Sequence, residues 1–82
     1  IGGFYMKEFV EYIAKQLVDS PEGVVVEEKL TEEKKLVLSL KVQSDDIGKV
    51  IGKQGKTAQA MRTLLTAVAA KEGKRAILEI ED

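Results

Sequence analysis

Residues 45–65 have the sequence DDIGKVIGKQGKTAQAMRTLL, and the glycines at positions 52 and 55 constrain the fold more than any other feature. Apolar residues with helical spacing precede the two glycines, and a longer helical pattern follows them. Glycine lowers helix stability and permits sharp turns, so a closely spaced pair favours a break between two helices. The segment therefore predicts a short helix, a tight glycine loop and a long helix in direct succession.

The remaining regular segments are identified by their periodicity. A helical stripe of apolar residues begins at Met6 and continues to about Ser20, and Pro21 ends it. Three stretches alternate apolar and polar residues with the period of two that is typical of strands, at 24–30, 36–42 and 75–81. The predicted order is helix–strand–strand–helix–helix–strand, with a hairpin between the first two strands.

These elements predict an α+β domain with a three-stranded mixed sheet. The hairpin makes the first two strands antiparallel, and the helical crossover returns the third strand parallel to the second. Packing of all three helices on one face is the economical arrangement. We expect the long helix to end at Gly73. Its buried side is expected to consist of six apolar residues, namely Ala58, Met61, Leu64, Leu65, Val68 and Ala69.

Local sequence patterns predict three further features of the chain. Leu30 is expected on the buried side of the first strand, where alternation places it with Val24 and Val26. Asp45 and Asp46 are expected to cap the short helix, because acidic residues favour helix N-termini. Because MKEFVEYIAKQLV is typical of a natural N-terminus, residues 1–5 are interpreted as a leader or N-terminal extension, and 6–82 as a single domain.

The composition excludes several kinds of site. The 82 residues include no cysteine and no histidine, which excludes a disulfide framework, a Cys/His zinc site and a histidine general base. No apolar run approaches the roughly 20 residues that span a bilayer. We therefore expect a cytoplasmic protein with no metal, no cofactor, no membrane association and no enzymatic activity.

The glycine loop has the character of a phosphate-binding segment. Gly55-Lys56-Thr57 matches the end of a nucleotide-binding P-loop, but that motif needs glycine at position 50, where the chain has valine. A P-loop also directly follows a strand, whereas a short helix is predicted here, so no nucleotide cofactor is expected. The net charge is −1, yet residues 47–71 contain five basic residues and no acid. This distribution favours a phosphate-containing partner of another kind.

The segment IGKVIGKQGKTAQAM resembles the signature of K-homology (KH) domains, in which a G-x-x-G loop between two helices clamps about four unpaired nucleotides. With the predicted order of elements, the resemblance is to the type II KH fold and covers residues 6–82. It implies a glycine loop that meets the RNA backbone and an aliphatic groove for the bases. The candidate RNA-binding residues are Gly52, Lys53, Gln54, Gly55, Lys49, Lys56, Ile47, Gly48, Val50 and Ile51.

The sequence leaves several features of the predicted site undetermined. The sequence does not distinguish which of Ile47, Val50 and Ile51 face the groove and which face the core. The groove is expected to reach the last strand near Ile77, and Arg62 is either an RNA contact or a solvated side chain. Ala58 and Met61 depart from the isoleucine and leucine that the KH pattern prefers, although both are apolar.

A free-standing domain that opens with MKEFVEYIAKQLVDSPEGV resembles the KhpA family of small bacterial KH proteins. That resemblance implies single-stranded RNA as a partner and a role as an RNA chaperone. It also implies a larger KH-domain partner, KhpB, and a part in cell-length and envelope control. Because one groove should bind RNA weakly, we expect a second module, either in a homodimer or in a heterodimer with KhpB. A protein-interaction module with the KH fold, in which RNA contact is secondary, is the alternative.

Overall fold

The computed structural model describes residues 6–81, so the interpretation of residues 1–5 lies outside the described residues. The helices and strands are α1 (Met6–Leu17), β1 (Val25–Leu30), β2 (Lys35–Lys41), α2 (Ile47–Ile51), α3 (Lys56–Lys71) and β3 (Arg75–Glu81). Short 3-10 turns lie at Pro21–Gly23, Ser44–Asp46 and Lys53–Gly55. The predicted order of helices and strands is confirmed. Within residues 6–81, no helix combines the length and the hydropathy needed to cross a membrane.

The three strands form one mixed sheet in the order β1-β2-β3. β1 and β2 are antiparallel, with Val26 opposite Leu40, and β2 and β3 are parallel, with Leu40 opposite Ile80. The two strands that are consecutive in sequence share a hairpin, whereas α2 and α3 supply the crossover that a parallel pair requires. The predicted α+β architecture with a mixed sheet is confirmed.

The core lies between one face of this sheet and the three helices. The sheet contributes Leu38, Leu40 and Leu78, which are at most 4% exposed. Each helix contributes buried apolar side chains to the same cluster, including Val10 of α1, Val50 of α2 and Leu65 of α3. Successive side chains of a strand point to opposite faces, so the residues between these leucines lie on the helix-free face. The three helices therefore share one face, as predicted.

Two leucines that were expected to be buried are exposed. Leu64 of α3 is 48% exposed and Leu30 of β1 is 56% exposed. The buried residues of α3 form a narrow stripe along the helix. Leu64 lies about 100° around the helix axis from the buried Leu65, which places it outside this stripe. In the edge strand β1, Val26 is the only buried residue, so the helix layer covers only the beginning of that strand.

Asp46 occupies the N-cap position of α2, but the expected capping of the helix by the side chains of Asp45 and Asp46 is wrong. Neither the turn at Ser44–Asp46 nor α2 has a side-chain cap, and Asp45 is exposed. Asp46 is only 2% exposed, and its carboxylate accepts hydrogen bonds from the backbone N–H groups of Asp19 and Ser20. These donors lie just beyond α1, which explains why α1 ends at Leu17 rather than near Ser20: the carboxylate takes amides that a longer helix would use.

Candidate nucleic-acid interface

The loop between α2 and α3 has an unusual backbone conformation. Gly52 has φ 79° and ψ 171°, Gln54 has φ 58°, and Gly55 has φ 75°. Three of the four loop residues thus have positive φ, which glycine adopts readily and other residues rarely adopt. The turn is closed by a 3.0 Å hydrogen bond from the Gly55 N–H to the Gly52 carbonyl oxygen. Residues 52–55 therefore form a compact loop rather than a continuous helix.

The two glycines of the loop have different surroundings. A Cβ atom at Gly52 would collide with the Thr57 side chain and lie 2.9 Å from the Thr57 backbone nitrogen. A Cβ atom at Gly55 would meet no atom of residues 6–81 within 4 Å. Gly52 is therefore required by packing within the protein. Gly55 is required only by its backbone angle, and it leaves open space through which a ligand can approach.

Positive charge surrounds this open space. Lys53 and Gln54 are exposed at the tip of the loop, and Lys56 is exposed at the start of α3. The ion pairs found among residues 6–81 involve neither Lys53 nor Lys56. The first turn of α3 contains no acidic residue, and Gly55 brings no side chain to cap it. The positive end of the α3 dipole is therefore not neutralised by the protein at this point, which favours an anion.

Lys49 differs from these lysines. Its Nζ atom lies 3.3 Å from an Asp19 carboxylate oxygen and 3.9 Å from an Asp46 carboxylate oxygen. The lysine that was predicted to flank the loop as a phosphate neighbour is therefore already paired with carboxylates. No local sequence pattern indicated Asp19 as a partner, because it lies 30 positions away from Lys49 in the chain.

The apolar candidates separate into core and surface. Val50 is 0% exposed and belongs to the core, which corrects its place among the candidate RNA contacts. Ile47 is partly buried and packs against the core. Gly48 is exposed, and a Cβ atom there would meet nothing within 4 Å. With Ile51, which is partly exposed, Gly48 forms the open apolar surface of α2 next to the loop.

Arg62 connects α3 with the free edge of the sheet. Its Nε and Nη2 atoms both donate to the Leu78 carbonyl oxygen, each at 3.4 Å. The N–H of Arg75 and the carbonyl group of Glu81 form hydrogen bonds with residues next to β2, so the odd-numbered residues of β3 direct their backbone groups toward β2. Leu78 is even-numbered, and its N–H and carbonyl groups therefore point to the free edge of the sheet. No local sequence pattern indicated this contact.

Ile77, near which the groove was expected to end, lies on the helix-free face of the sheet. It is 37% exposed and alternates with the buried Leu78. A groove on the helix side of the molecule therefore meets the backbone of Leu78 and not the side chain of Ile77.

Comparisons with known proteins agree with this fold. A model of the KH domain of KhpA and KhpB matches residues 7–80. "RNA-binding protein KhpA" of Clostridium perfringens is 57% identical over 75 residues, which cover 92% of this chain and 99% of that protein. The protein of the same name from Aquifex aeolicus is 51% identical over 75 residues, with 92% and 94% covered. That of Halalkalibacterium halodurans is 48% identical over 77 residues, with 94% and 100% covered. The chain belongs to the KhpA/KhpB family of KH domains.

Proposed function

We propose that this protein binds single-stranded RNA and that the Gly52–Gly55 loop holds the RNA backbone. The observation that carries the proposal is the open space at Gly55, next to the uncapped, acid-free N-terminus of α3. The names of the relatives, which describe RNA-binding proteins, support the same conclusion. Such binding needs no cofactor and no catalytic step.

The roles of the loop residues follow from their chemistry. A phosphate in front of Gly55 lies near the positive end of α3. Lys53 and Lys56 supply exposed ammonium groups on either side, and the Gln54 amide adds a hydrogen-bond donor. The backbone carries no base identity, so these contacts hold an RNA strand of any sequence.

The bases of the strand lie on the apolar surface next to the loop. Gly48 and Ile51 offer an open aliphatic surface, and the partly buried Ile47 supports it from the core side. This surface is accessible only to unstacked bases, because stacking on neighbouring bases covers the faces of bases within a double helix. The proposed ligand is therefore single-stranded rather than double-stranded RNA.

A charge reversal at the loop tip tests the proposal. In Lys53→Asp, we expect the affinity for a labelled oligoribonucleotide, measured by fluorescence anisotropy, to fall at least about tenfold, because a phosphate contact becomes a repulsion. Lys34→Asp is the matched control. Lys34 is also an exposed lysine in a turn, but it lies in the β1–β2 hairpin next to Arg75 of β3. Equal affinities of the two variants would contradict the proposal.

A second binding module is a further part of the proposal. One groove for about four nucleotides gives weak, salt-sensitive binding, so useful affinity needs a homodimer or a larger KH-domain partner such as KhpB. Large exposed apolar side chains offer contacts for such a partner, namely Tyr12, Val25, Leu30, Leu64 and Ile77. This feature also supports the second candidate function, a KH-fold module whose main activity is protein association.

Two copies joined by a flexible linker separate these possibilities. If RNA is the main ligand, the tandem protein should bind a long single strand about 100-fold more tightly than one copy does, through effective concentration. It should show no such gain on a strand of about four nucleotides, which one groove fills. The same tandem with Lys53→Asp in one copy is the control and should lose the gain. No gain on the long strand would favour the protein-association module.

The cellular role is proposed from family membership alone. An RNA chaperone activity, a location in the cytoplasm and a part in cell-length and envelope control all belong to this proposal. Strand annealing of two complementary RNAs, accelerated by the wild-type chain and not by Lys53→Asp, is the measurement that checks the chaperone activity.

A further inference from the structure

The buried carboxylate of Asp46 joins two distant parts of the chain. Its Oδ1 atom accepts the Asp19 N–H at 3.2 Å, and its Oδ2 atom accepts the Ser20 N–H at 3.1 Å. Both oxygens are therefore used by the backbone that follows α1. Lys49, one turn further along α2, adds ion pairs of 3.3 Å to Asp19 and 3.9 Å to Asp46. We call this arrangement the Asp46 contact.

α2 depends on such contacts for its position. It has only five residues, and a helix of that length has no stability of its own in water. Its fixed points are Val50, which is 0% exposed in the core, the partly buried Ile47, and the Asp46 contact directly before Ile47. Gly52, the first residue of the RNA-binding loop, directly follows the helix. A rotation of α2 about Val50 would therefore displace the loop.

Lys49 has a different electrostatic environment from Lys53 and Lys56. It lies beside two carboxylates, so the group of three side chains carries more negative than positive charge. A phosphate that approached Lys49 would also approach the Asp19 carboxylate, whose side chain is 80% exposed. The local charge therefore does not favour a phosphate at this position.

We propose that Asp46 is a positioning residue for the RNA-binding loop and that Lys49 completes the Asp46 contact instead of binding phosphate. The proposal rests on the RNA-binding function proposed above and assigns different roles to two residues that the sequence placed beside the loop. Asp46 acts through α2 and does not touch the RNA.

The substitution Asp46→Asn tests the positioning role. Asparagine keeps one acceptor oxygen but turns an NH₂ group toward the other backbone N–H, so one of the two hydrogen bonds is lost. We expect the folded variant to bind RNA about tenfold more weakly and to show shifted amide resonances at residues 52–55 without RNA. Asp45→Asn is the matched control, because Asp45 is the exposed neighbour and loses the same charge. It should leave the affinity and the loop resonances unchanged.

The substitution Lys49→Gln tests the second part of the proposal, that Lys49 does not bind phosphate. In single-stranded RNA, each lost phosphate contact lowers the magnitude of the negative slope of log K against log salt by about 0.7. We expect Lys53→Gln to show this decrease and Lys49→Gln to keep the wild-type slope. Lys49 is half-exposed and outside the core, so the variant tests the role of Lys49 even if Asp46→Asn does not fold.

Several results would overturn the proposal. A folded Asp46→Asn protein with wild-type affinity and unchanged loop resonances would show that Asp46 does not position the loop. A decrease in the salt slope with Lys49→Gln would show that Lys49 binds phosphate. Failure of the wild-type chain to bind RNA would instead overturn the proposed function, and the resonances of residues 52–55 would then still decide the positioning role.

Discussion

The two ends of α3 carry glycines with nearly the same φ angle and different structural roles. Gly55 precedes the helix with φ 75°, and Gly73 follows it with φ 69°. At either position a Cβ atom would meet nothing within 4 Å. The two positions therefore match in φ and in the free space around them, and they differ in which end of the helix they adjoin.

At Gly73 backbone hydrogen bonds cap the C-terminus of α3. The Gly73 N–H donates to the Ala70 carbonyl oxygen at 3.1 Å, and the Lys74 N–H donates to the Ala69 carbonyl oxygen at 2.9 Å. This pair of bonds is a Schellman motif, which satisfies carbonyl groups that the helix end leaves open. It confirms the prediction that Gly73 ends α3. The C-terminal glycine has a structural role that the chain itself fulfils.

At Gly55 the closure is only partial, because the Lys56 N–H donates to the Lys53 carbonyl oxygen but no side chain caps the helix amides. The first turn of α3 has neither a capping side chain nor an acidic residue, and exposed lysines lie on both sides of the glycine. A glycine with positive φ thus ends the helix at Gly73, whereas at Gly55 it leaves positive charge accessible to a ligand. Conformation alone does not identify a ligand-facing glycine; its neighbouring donors and charges do.

The largest expected effect is on the free energy of unfolding, which should distinguish the two glycines of the loop. Gly52→Ala should lower the free energy of unfolding by about 3 kcal/mol, because the backbone angles of Gly52 are nearly exclusive to glycine and the new methyl collides with Thr57. Gly55→Ala and Gly73→Ala should each cost only about 1 kcal/mol, the price of a left-handed alanine. Urea denaturation measures all three. Equal losses at positions 52 and 55 would contradict the packing role of Gly52.

A smaller effect compares lysines at the two ends of α3. Lys56→Gln should weaken RNA binding a few-fold and lower the magnitude of the negative slope of log K against log salt by about 0.7. Lys71→Gln removes the same charge from the last residue of the helix and should change neither quantity. Anisotropy titrations at several salt concentrations give both values. Equal slopes for the two variants would place the RNA backbone elsewhere on the protein.

The architecture was predictable from the sequence because it follows from local periodicity. Alternation fixed the buried face of β2, and the glycines at 52, 55 and 73 fixed the ends of α2 and α3. The exposure of Leu64 was not predictable, because it depends on how narrow a stripe of α3 meets the sheet. The same holds for Leu30, whose burial depends on how far the helix layer extends over an edge strand.

Parts of the site depend on contacts between distant segments, which local patterns do not record. Asp46 had the position of a helix cap but bonds to the backbone of residues 19 and 20. Val50 and Ile51 are adjacent apolar residues of one short helix, and only the packed structure shows that Val50 is the core residue. Arg62 required the sheet edge to be in place before its partner, the Leu78 carbonyl group, could be identified.

The central claim, that RNA binds at the Gly52–Gly55 loop, is tested most directly by placing the same carboxylate at each end of α3. Gly55→Asp and Gly73→Asp make the same substitution at left-handed glycines with open surroundings. We predict that Gly55→Asp lowers the affinity for single-stranded RNA at least about 30-fold while Gly73→Asp stays within about twofold of the wild type. Circular dichroism should show both variants folded at the assay temperature. Wild-type affinity in a folded Gly55→Asp protein would contradict the claim.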